Sequence, residues 1–258
     1  MITMSSPEAD SNPLRREIAE TSNQAEISPY VWDLVMNTPE VYKKMVELLK
    51  VEEGLIPRGK FESQYKHSFD VAHLSEIVFD EYYSVSEEVK SLAPEEQAGR
   101  KKIFLLSAIL HDIGKTSVSP ETLTGRGPLT DEKRKEIRAH PQRSKDICLE
   151  ISRAMDTESD RQVMAEVISE IVMRHHFYSE GYPFEAELKK DPDPETEAMI
   201  TEISRMISVI DSFDALSSPR SYEEPHEPAE TRKILLEKFK NYPSLENLIN
   251  FLADKISN

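Results

Sequence analysis

The stretch LLSAILHDIGK, at residues 105–115, joins a run of apolar residues to an adjacent histidine and aspartate. Apolar side chains on all faces are typical of a helix that is buried in the core. A carboxylate has two oxygens and can bridge two metal ions, while a neighbouring imidazole binds one of them. The stretch therefore predicts a central helix that presents His111 and Asp112 to metal ions at its C-terminal end.

The composition of the chain favours a helical fold. Of its 258 residues, 38% are hydrophobic and 31% are charged, whereas only seven are glycine. That hydrophobic share is enough to form a core in a chain of this length, and the shortage of glycine argues against a turn-rich β fold. No segment alternates apolar and polar residues over the length of a strand. We therefore predict an all-α helical bundle.

The net charge and the lone cysteine restrict the partners and the compartment. A formal charge of −16 opposes binding to DNA, RNA or anionic membranes, which bind through lysine and arginine, but it is compatible with a small anionic ligand. Cys148 has no second cysteine with which to form a disulfide within the chain, as expected in a reducing compartment. No signal peptide is recognisable, and no uncharged apolar run approaches the ~18 residues that span a bilayer. We predict a cytoplasmic protein.

The sequence divides into three regions. Residues 1–27 are polar and rich in serine, glutamate, asparagine and proline, which predicts a flexible N-terminal arm. Residues 28–60 predict a small helical extension, with Thr38 as an N-cap and Pro39 at the first helical position. Residues 61–258 are expected to form the main domain. Its predicted helices lie at about 65–83, 98–113, 144–155, 160–176 and 195–217, with a further helix after the N-cap Thr130.

Histidines and aspartates that could bind a divalent metal lie at the ends, or on one turn, of these helices. The candidates are His67, His111, Asp112, His140, His175, His176 and Asp211. Each of them alone is more typical of a capping, surface or hydrogen-bonded residue. Asp211 is more informative than most, because a carboxylate among apolar neighbours is costly unless a metal, a cation or hydrogen bonds satisfy it. The order of the candidates along the chain therefore decides how they are interpreted.

Five segments, in unbroken order, resemble successive motifs of the HD-GYP family. They are HSFDVAHLSEIV (67–78), LLSAILHDIGK (105–115), GPLTDEKRKEIRAHP (127–141), IVMRHHFYSEGYP (171–183) and ISVIDSFDALSSPRSY (207–222). The family is a branch of the HD-domain metal-dependent phosphohydrolases. Its members are helical, hold two or three ions of iron, manganese or related metals, and typically hydrolyse the phosphodiester of cyclic di-GMP. The resemblance therefore implies a bacterial signalling protein.

The resemblance also implies a role for each candidate residue. One ion would be bound by His67, His111, Asp112 and Asp211, and Asp112 would bridge to a second ion held by His140 and by one or both of His175 and His176. Two ions roughly 3.5–4 Å apart can activate a bridging hydroxide for in-line attack on a phosphate. Asp112 and Lys115 are the expected catalytic residues, and the substrate contacts are expected from Lys115, Arg220 and Tyr182. Tyr182 could equally face a partner or serve as a packing residue.

The chain departs from the family pattern mainly where the substrate is expected. HHFYSEGYP is two residues shorter than the family's HHExxDGxGYP, and Phe177 replaces the glutamate. The glutamate that holds a third ion in some members is replaced by Ser63, with Glu62 one position away, so we expect two ions rather than three. Ser144 stands where the family has glycine, and Asp70 stands where it has arginine. All the proposed metal ligands survive, which predicts that a metal centre persists.

We predict a phosphodiesterase that opens cyclic di-GMP, to linear pGpG, at a dinuclear site occupied by iron or manganese. The altered loop leaves two alternatives open. One is hydrolysis of another cyclic dinucleotide, nucleotide or phosphoester, and the other is a signalling or binding module with weak activity. The sequence also leaves open whether the protein forms a homodimer and whether it binds a protein partner through the GYP loop.

Overall fold

The computed structural model describes residues 28–53, 64–124, 130–176, 178, 182, 193–218 and 225–256. Every regular element in these ranges is helical, and no strand occurs among them. The prediction of an all-α fold is thereby confirmed. None of the described helices is long and apolar enough to cross a membrane. The arm predicted at residues 1–27 lies outside the described residues.

The helices follow one another closely along the chain. They are α1 (Pro29–Met36), α2 (Pro39–Glu53), α3 (Gln64–Val78), α4 (Glu87–Lys90), α5 (Pro94–Leu110), α6 (Pro120–Thr124), α7 (Asp131–Arg138), α8 (His140–Ala154), α9 (Glu158–Gln162), α10 (Ser169–Arg174), α11 (Pro194–Ser217), α12 (Pro228–Lys238) and α13 (Glu246–Ile256). The π-helical turn Phe79–Tyr83 continues α3, and a second one, Val163–Ile168, joins α9 to α10. Two 3₁₀ turns span Ile113–Ser117 and Pro243–Leu245.

The predicted central helix is α5. Each residue from Phe104 to Leu110 is at most 2% exposed, so this half of the helix is enclosed on every side. The helix begins at Pro94, earlier than expected, because proline suits the first helical position and the Glu96 carboxylate accepts a hydrogen bond from the Ala93 N–H (2.9 Å). It ends at Leu110, and His111 and Asp112 follow in a turn.

Helices α3 and α11 pack against each other and against α5. Helix α11 begins where the Asp193 carboxylate accepts a hydrogen bond from the Thr196 N–H (3.0 Å), which satisfies one of the free donors of the first turn. Helix α8 lies along the 3₁₀ turn Ile113–Ser117 and also contacts α10. The five segments that carry the candidate ligands therefore meet next to the C-terminal end of α5.

The N-terminal extension shares the hydrophobic core. Val31 and Met45 are buried with the residues of the main bundle, and the Trp32 ring centroid lies 6.1 Å from that of Phe69. Helix α2 begins at Pro39 as predicted, and the Thr38 hydroxyl donates a hydrogen bond to the Leu34 carbonyl oxygen (2.9 Å). The extension is therefore packed onto the bundle. The boundary predicted between residues 60 and 61 falls outside the described residues.

Candidate metal centre

Five separate segments bring the predicted ligands together. His67 lies on α3 and Asp211 on α11, while the others follow or begin helices next to them. His111 and Asp112 occupy the turn after α5, His140 is the first residue of α8, and His175 and His176 follow α10. Helix α7 lies just before His140 in the chain. It begins after the predicted N-cap, where the Thr130 hydroxyl oxygen accepts a hydrogen bond from the Lys133 N–H (3.3 Å).

These side chains form two groups, each able to hold a metal ion. The first contains His67, His111, Asp112 and Asp211, and the second contains Asp112, His140, His175 and His176. Within each group the potential ligand atoms lie within 4.8 Å of one another. Asp112 belongs to both groups, and its side chain is 1% exposed. The two groups therefore share one buried carboxylate.

The two carboxylate oxygens of Asp112 face different groups. Oδ2 lies 3.4 Å from the Nε2 of His111 and 3.6 Å from the Nε2 of His67. Oδ1 lies 2.9 Å from the Nε2 of His140 and 3.8 Å from the Nε2 of His175. A carboxylate arranged in this way can ligate one ion with each oxygen.

Three of the histidines are oriented by the backbone in the same manner. The Nδ1 atom of each lies next to the carbonyl oxygen of the residue three positions earlier. The pairs are His111 with Ala108 (2.6 Å), His140 with Ile137 (2.7 Å) and His175 with Val172 (2.6 Å). A carbonyl oxygen only accepts, so Nδ1 carries the proton of the neutral ring and Nε2 has the lone pair. In each neutral ring, Nε2 is therefore the nitrogen that is available to a metal ion.

His67 is oriented by Asp214, which sequence reasoning missed. The Nδ1 of His67 donates to the Oδ2 of Asp214 (2.7 Å), and the Oδ1 of Asp214 accepts a hydrogen bond from the Ser218 hydroxyl (2.9 Å). Carboxylates often hold metal-binding histidines in this way and fix which ring nitrogen faces the metal. The signal was present in DSFDALS, because residues three apart on a helix share a face and Asp214 follows Asp211 by three.

The contacts of the buried His111, His140 and His175 rings show where a cation would fit. His111 Nε2 makes no hydrogen bond to a described residue, although carboxylate oxygens lie 3.4 and 3.8 Å away. The Nε2 atoms of His140 and His175 face each other at 3.3 Å, and the Nδ1 atom of each ring already lies next to a backbone carbonyl oxygen. Buried polar groups without partners are costly. Imidazole nitrogens and carboxylate oxygens suit first-row divalent metals, so the donor set fits such ions.

The two groups differ in their electrostatics. Burial opposes charge on His67 and His111, but neighbouring carboxylates outweigh it and raise the pKa of His67 to about 10 and that of His111 to about 9. Burial and nearby imidazoles hold the pKa of His175 well below its usual range, and burial lowers that of His176 to about 3. A divalent ion that binds the first group must displace protons from His67 and His111, whereas His175 and His176 are already neutral.

Lys115 and Tyr182 lie at the edge of the site. The Nζ of Lys115 is 2.5 Å from the Oδ2 of Asp112, and the lysine side chain is 18% exposed. This ammonium group helps to hold the pKa of Asp112 well below its usual range in spite of burial, which acts in the opposite direction. The Tyr182 ring is stacked on His176, with ring centroids 4.4 Å apart. Arg220, Glu62 and the other residues of the GYP tripeptide lie outside the described residues.

Comparison with known proteins places this arrangement in a family. A family model described as the HD domain matches residues 64–216, the region that supplies every residue of both groups. This chain belongs to the HD domain family. The matched region begins with α3 and ends within α11, so the N-terminal extension and the last two α-helices lie outside it.

Three curated relatives resemble the chain over half of its length. A cyclic di-GMP phosphodiesterase of Pseudomonas aeruginosa is 31% identical over 134 residues, which are 51% of this chain and 28% of the relative. A probable cyclic di-GMP phosphodiesterase of Vibrio cholerae is 29% identical over 52% of this chain and 28% of the relative. A cyclic di-GMP phosphodiesterase of the same organism is 28% identical, over 53% of this chain and 25% of the relative.

These similarities support the predicted membership of the HD-GYP branch. The matched segments span only about a quarter of the length of each relative.

Proposed function

We propose that this chain is a metal-dependent phosphodiesterase that hydrolyses cyclic di-GMP to linear pGpG at a two-metal centre. The observation that carries the proposal is the Asp112 carboxylate, whose two oxygens face two separate groups of histidines. The names of the three curated relatives support the substrate. Iron and manganese are the proposed metals because the donors are imidazole nitrogens and carboxylate oxygens.

The proposed ligands are the two groups that share Asp112. When bound, two divalent ions lower the pKa of a water molecule and neutralise charge on the phosphate oxygens. Asp211 and Asp112 would supply negative charge to the first ion, and the imidazoles of His140, His175 and His176, together with Asp112, would hold the second.

Lys115 is the proposed phosphate contact. Its ammonium group has three donor hydrogens, of which the contact with Asp112 uses one. A donor that remains can bind a nonbridging phosphate oxygen next to the metal centre. Tyr182 lies over His176 and is proposed to line the substrate pocket on that side. Arg220 is proposed as a second, planar phosphate contact.

A turnover assay with a matched pair of histidine variants tests the proposed activity. Protein purified without oxygen and loaded with iron or manganese is expected to convert cyclic di-GMP to pGpG, measured by chromatography. His67→Ala removes a proposed ligand and should abolish conversion, whereas His73→Ala changes the same helix outside both groups and should retain it. Intact cyclic di-GMP, under conditions in which the Pseudomonas aeruginosa relative cleaves it, would contradict the proposal.

A second candidate function follows from the shortened HHFYSEGYP segment. The segment is two residues shorter than the family pattern at a position where the family contacts its substrate, so a different cyclic dinucleotide, nucleotide or phosphoester is the alternative substrate. A panel of these compounds, offered to the same metal-loaded protein, distinguishes the candidates by which one is consumed. Full metal occupancy with no turnover of any compound would favour a binding module instead.

A further inference from the structure

Ser144 connects the two halves of the metal centre. It lies on α8, one helical turn after His140, and is completely buried. Its hydroxyl oxygen accepts a hydrogen bond from the Gly114 N–H (2.9 Å), and the hydroxyl donates to the His111 carbonyl oxygen (2.8 Å). Both partners belong to the turn that contains Asp112. One side chain thus joins the helix of the second group to the turn that carries the shared ligand.

The backbone around Gly114 shows how closely these two segments approach. A Cβ atom at residue 114 would lie 2.2 Å from the His140 carbonyl oxygen and 2.5 Å from the Ser144 backbone nitrogen. Contacts this short are impossible for a real side chain, so only glycine fits here without movement of the backbone. The turn therefore lies directly on the first turn of α8, where the Ser144 hydroxyl satisfies its buried polar groups.

Asp112 lies between the two backbone groups that this hydroxyl contacts. The His111 carbonyl, which accepts from Ser144, belongs to the peptide that joins His111 to Asp112. Two residues further on, the Gly114 N–H is held by the same hydroxyl. Asp112 is therefore bracketed by the two hydrogen bonds, and its Oδ1 lies 2.9 Å from His140 Nε2 on the helix to which Ser144 belongs.

We propose that Ser144 is a positioning residue, which holds the Asp112 carboxylate between the two groups so that one carboxylate serves both ions. This inference rests on the proposed two-metal centre. The family pattern that this chain resembles has glycine at this position, and glycine has no hydroxyl with which to make the two hydrogen bonds. Loss of the Ser144 hydroxyl should affect the second group most, since Ser144 and His140 lie on the same helix.

The test compares Ser144→Ala with Ser152→Ala by manganese titration and electron paramagnetic resonance. Ser152 lies on the same helix and is buried, but its hydroxyl donates only to the nearby Leu149 carbonyl oxygen. We expect Ser144→Ala to weaken the binding of one of the two Mn²⁺ ions by about tenfold, as for other residues that orient metal ligands. It should also reduce the signal of magnetically coupled Mn²⁺ pairs, whereas Ser152→Ala should preserve both properties.

Unchanged affinities and an unchanged coupled signal in folded Ser144→Ala would overturn the inference, even if the variant unfolds more easily. Should that variant not fold, Ser144→Cys retains the side-chain volume with a weaker hydrogen-bonding group, and it should show the same loss to a smaller degree. A wild-type protein that binds no coupled pair would overturn the two-metal centre and this inference together. A coupled pair without turnover would count against the proposed activity alone, because neither measurement requires the substrate.

Discussion

At the scale of single residues, the order of the motifs along the chain predicts the candidate ligands but not the side chains that contact them. The motif order singled out His67, His111 and Asp211 before the structure placed them together, although their role as ligands stays a prediction. The contact between Asp214 and His67 was not predicted, because the two residues lie 147 positions apart in the sequence. The sequence also could not indicate that Lys115 lies against Asp112, since that contact depends on the shape of the turn.

Asp214→Asn tests the orientation of His67. An amide oxygen can still accept from the ring but lacks the negative charge that strengthens the histidine as a ligand, so we expect the affinity of the first group for metal to fall by about 10–100-fold. Competition with a coloured chelator measures this affinity. Asp146→Asn is the control, because Asp146 is exposed on α8, lies outside both groups and accepts a hydrogen bond from the Gln142 amide. Equal affinity in Asp214→Asn and the wild type would refute the orienting role.

At the scale of elements, the apolar run of residues 103–110 predicted the central helix because a helix without a polar face has to be buried. The predicted start of α5, at about residue 98, is too late, since the helix begins at Pro94 and its first turns are polar and carry no apolar periodicity. The close contact between α8 and the turn after α5 was not predictable from either segment. It arises because Gly114 admits the backbone of another element, which a one-dimensional pattern does not show.

Gly114→Ala tests this contact between elements. The added methyl group would meet backbone atoms of α8, which cannot rotate away as a flexible side chain can. We expect the free energy of unfolding to fall by about 1–3 kcal/mol, measured by urea denaturation, together with loss of metal from the second group. Gly99→Ala is the matched control, because nothing lies within 4 Å of a Cβ at that position. Equal stability of the two variants would contradict the packing described above.

At the scale of the whole molecule, the candidate metal centre lies where five segments from α3 to α11 meet, so bound ions would cross-link the bundle. The charge of −16 and the composition indicated a helical protein that does not bind polyanions, but they could not locate this meeting point. Locating it required the three-dimensional packing, since the first and last proposed ligands are 144 residues apart in sequence.

Removal of metal is therefore expected to destabilise the whole bundle. A ligand at one hundred times its dissociation constant stabilises the folded state by about 2.7 kcal/mol, and in a chain of this size that corresponds to a rise in Tm of roughly 5–10 °C. Thermal unfolding of chelator-treated and manganese-loaded protein measures the difference. Asp112→Ala should show a smaller rise than the wild type. Identical Tm values for the treated and loaded wild-type protein would argue against a metal held between these segments.

The central claim is that one buried carboxylate joins two metal ions, and an element-resolved metal count tests it most directly. Protein purified without oxygen should contain two divalent ions per chain, whereas Asp112→Ala should contain one at most and show no phosphodiesterase activity. Asp146→Ala, which removes an exposed carboxylate outside both groups, should contain two ions like the wild type. Retention of both ions by Asp112→Ala would contradict the shared-carboxylate centre.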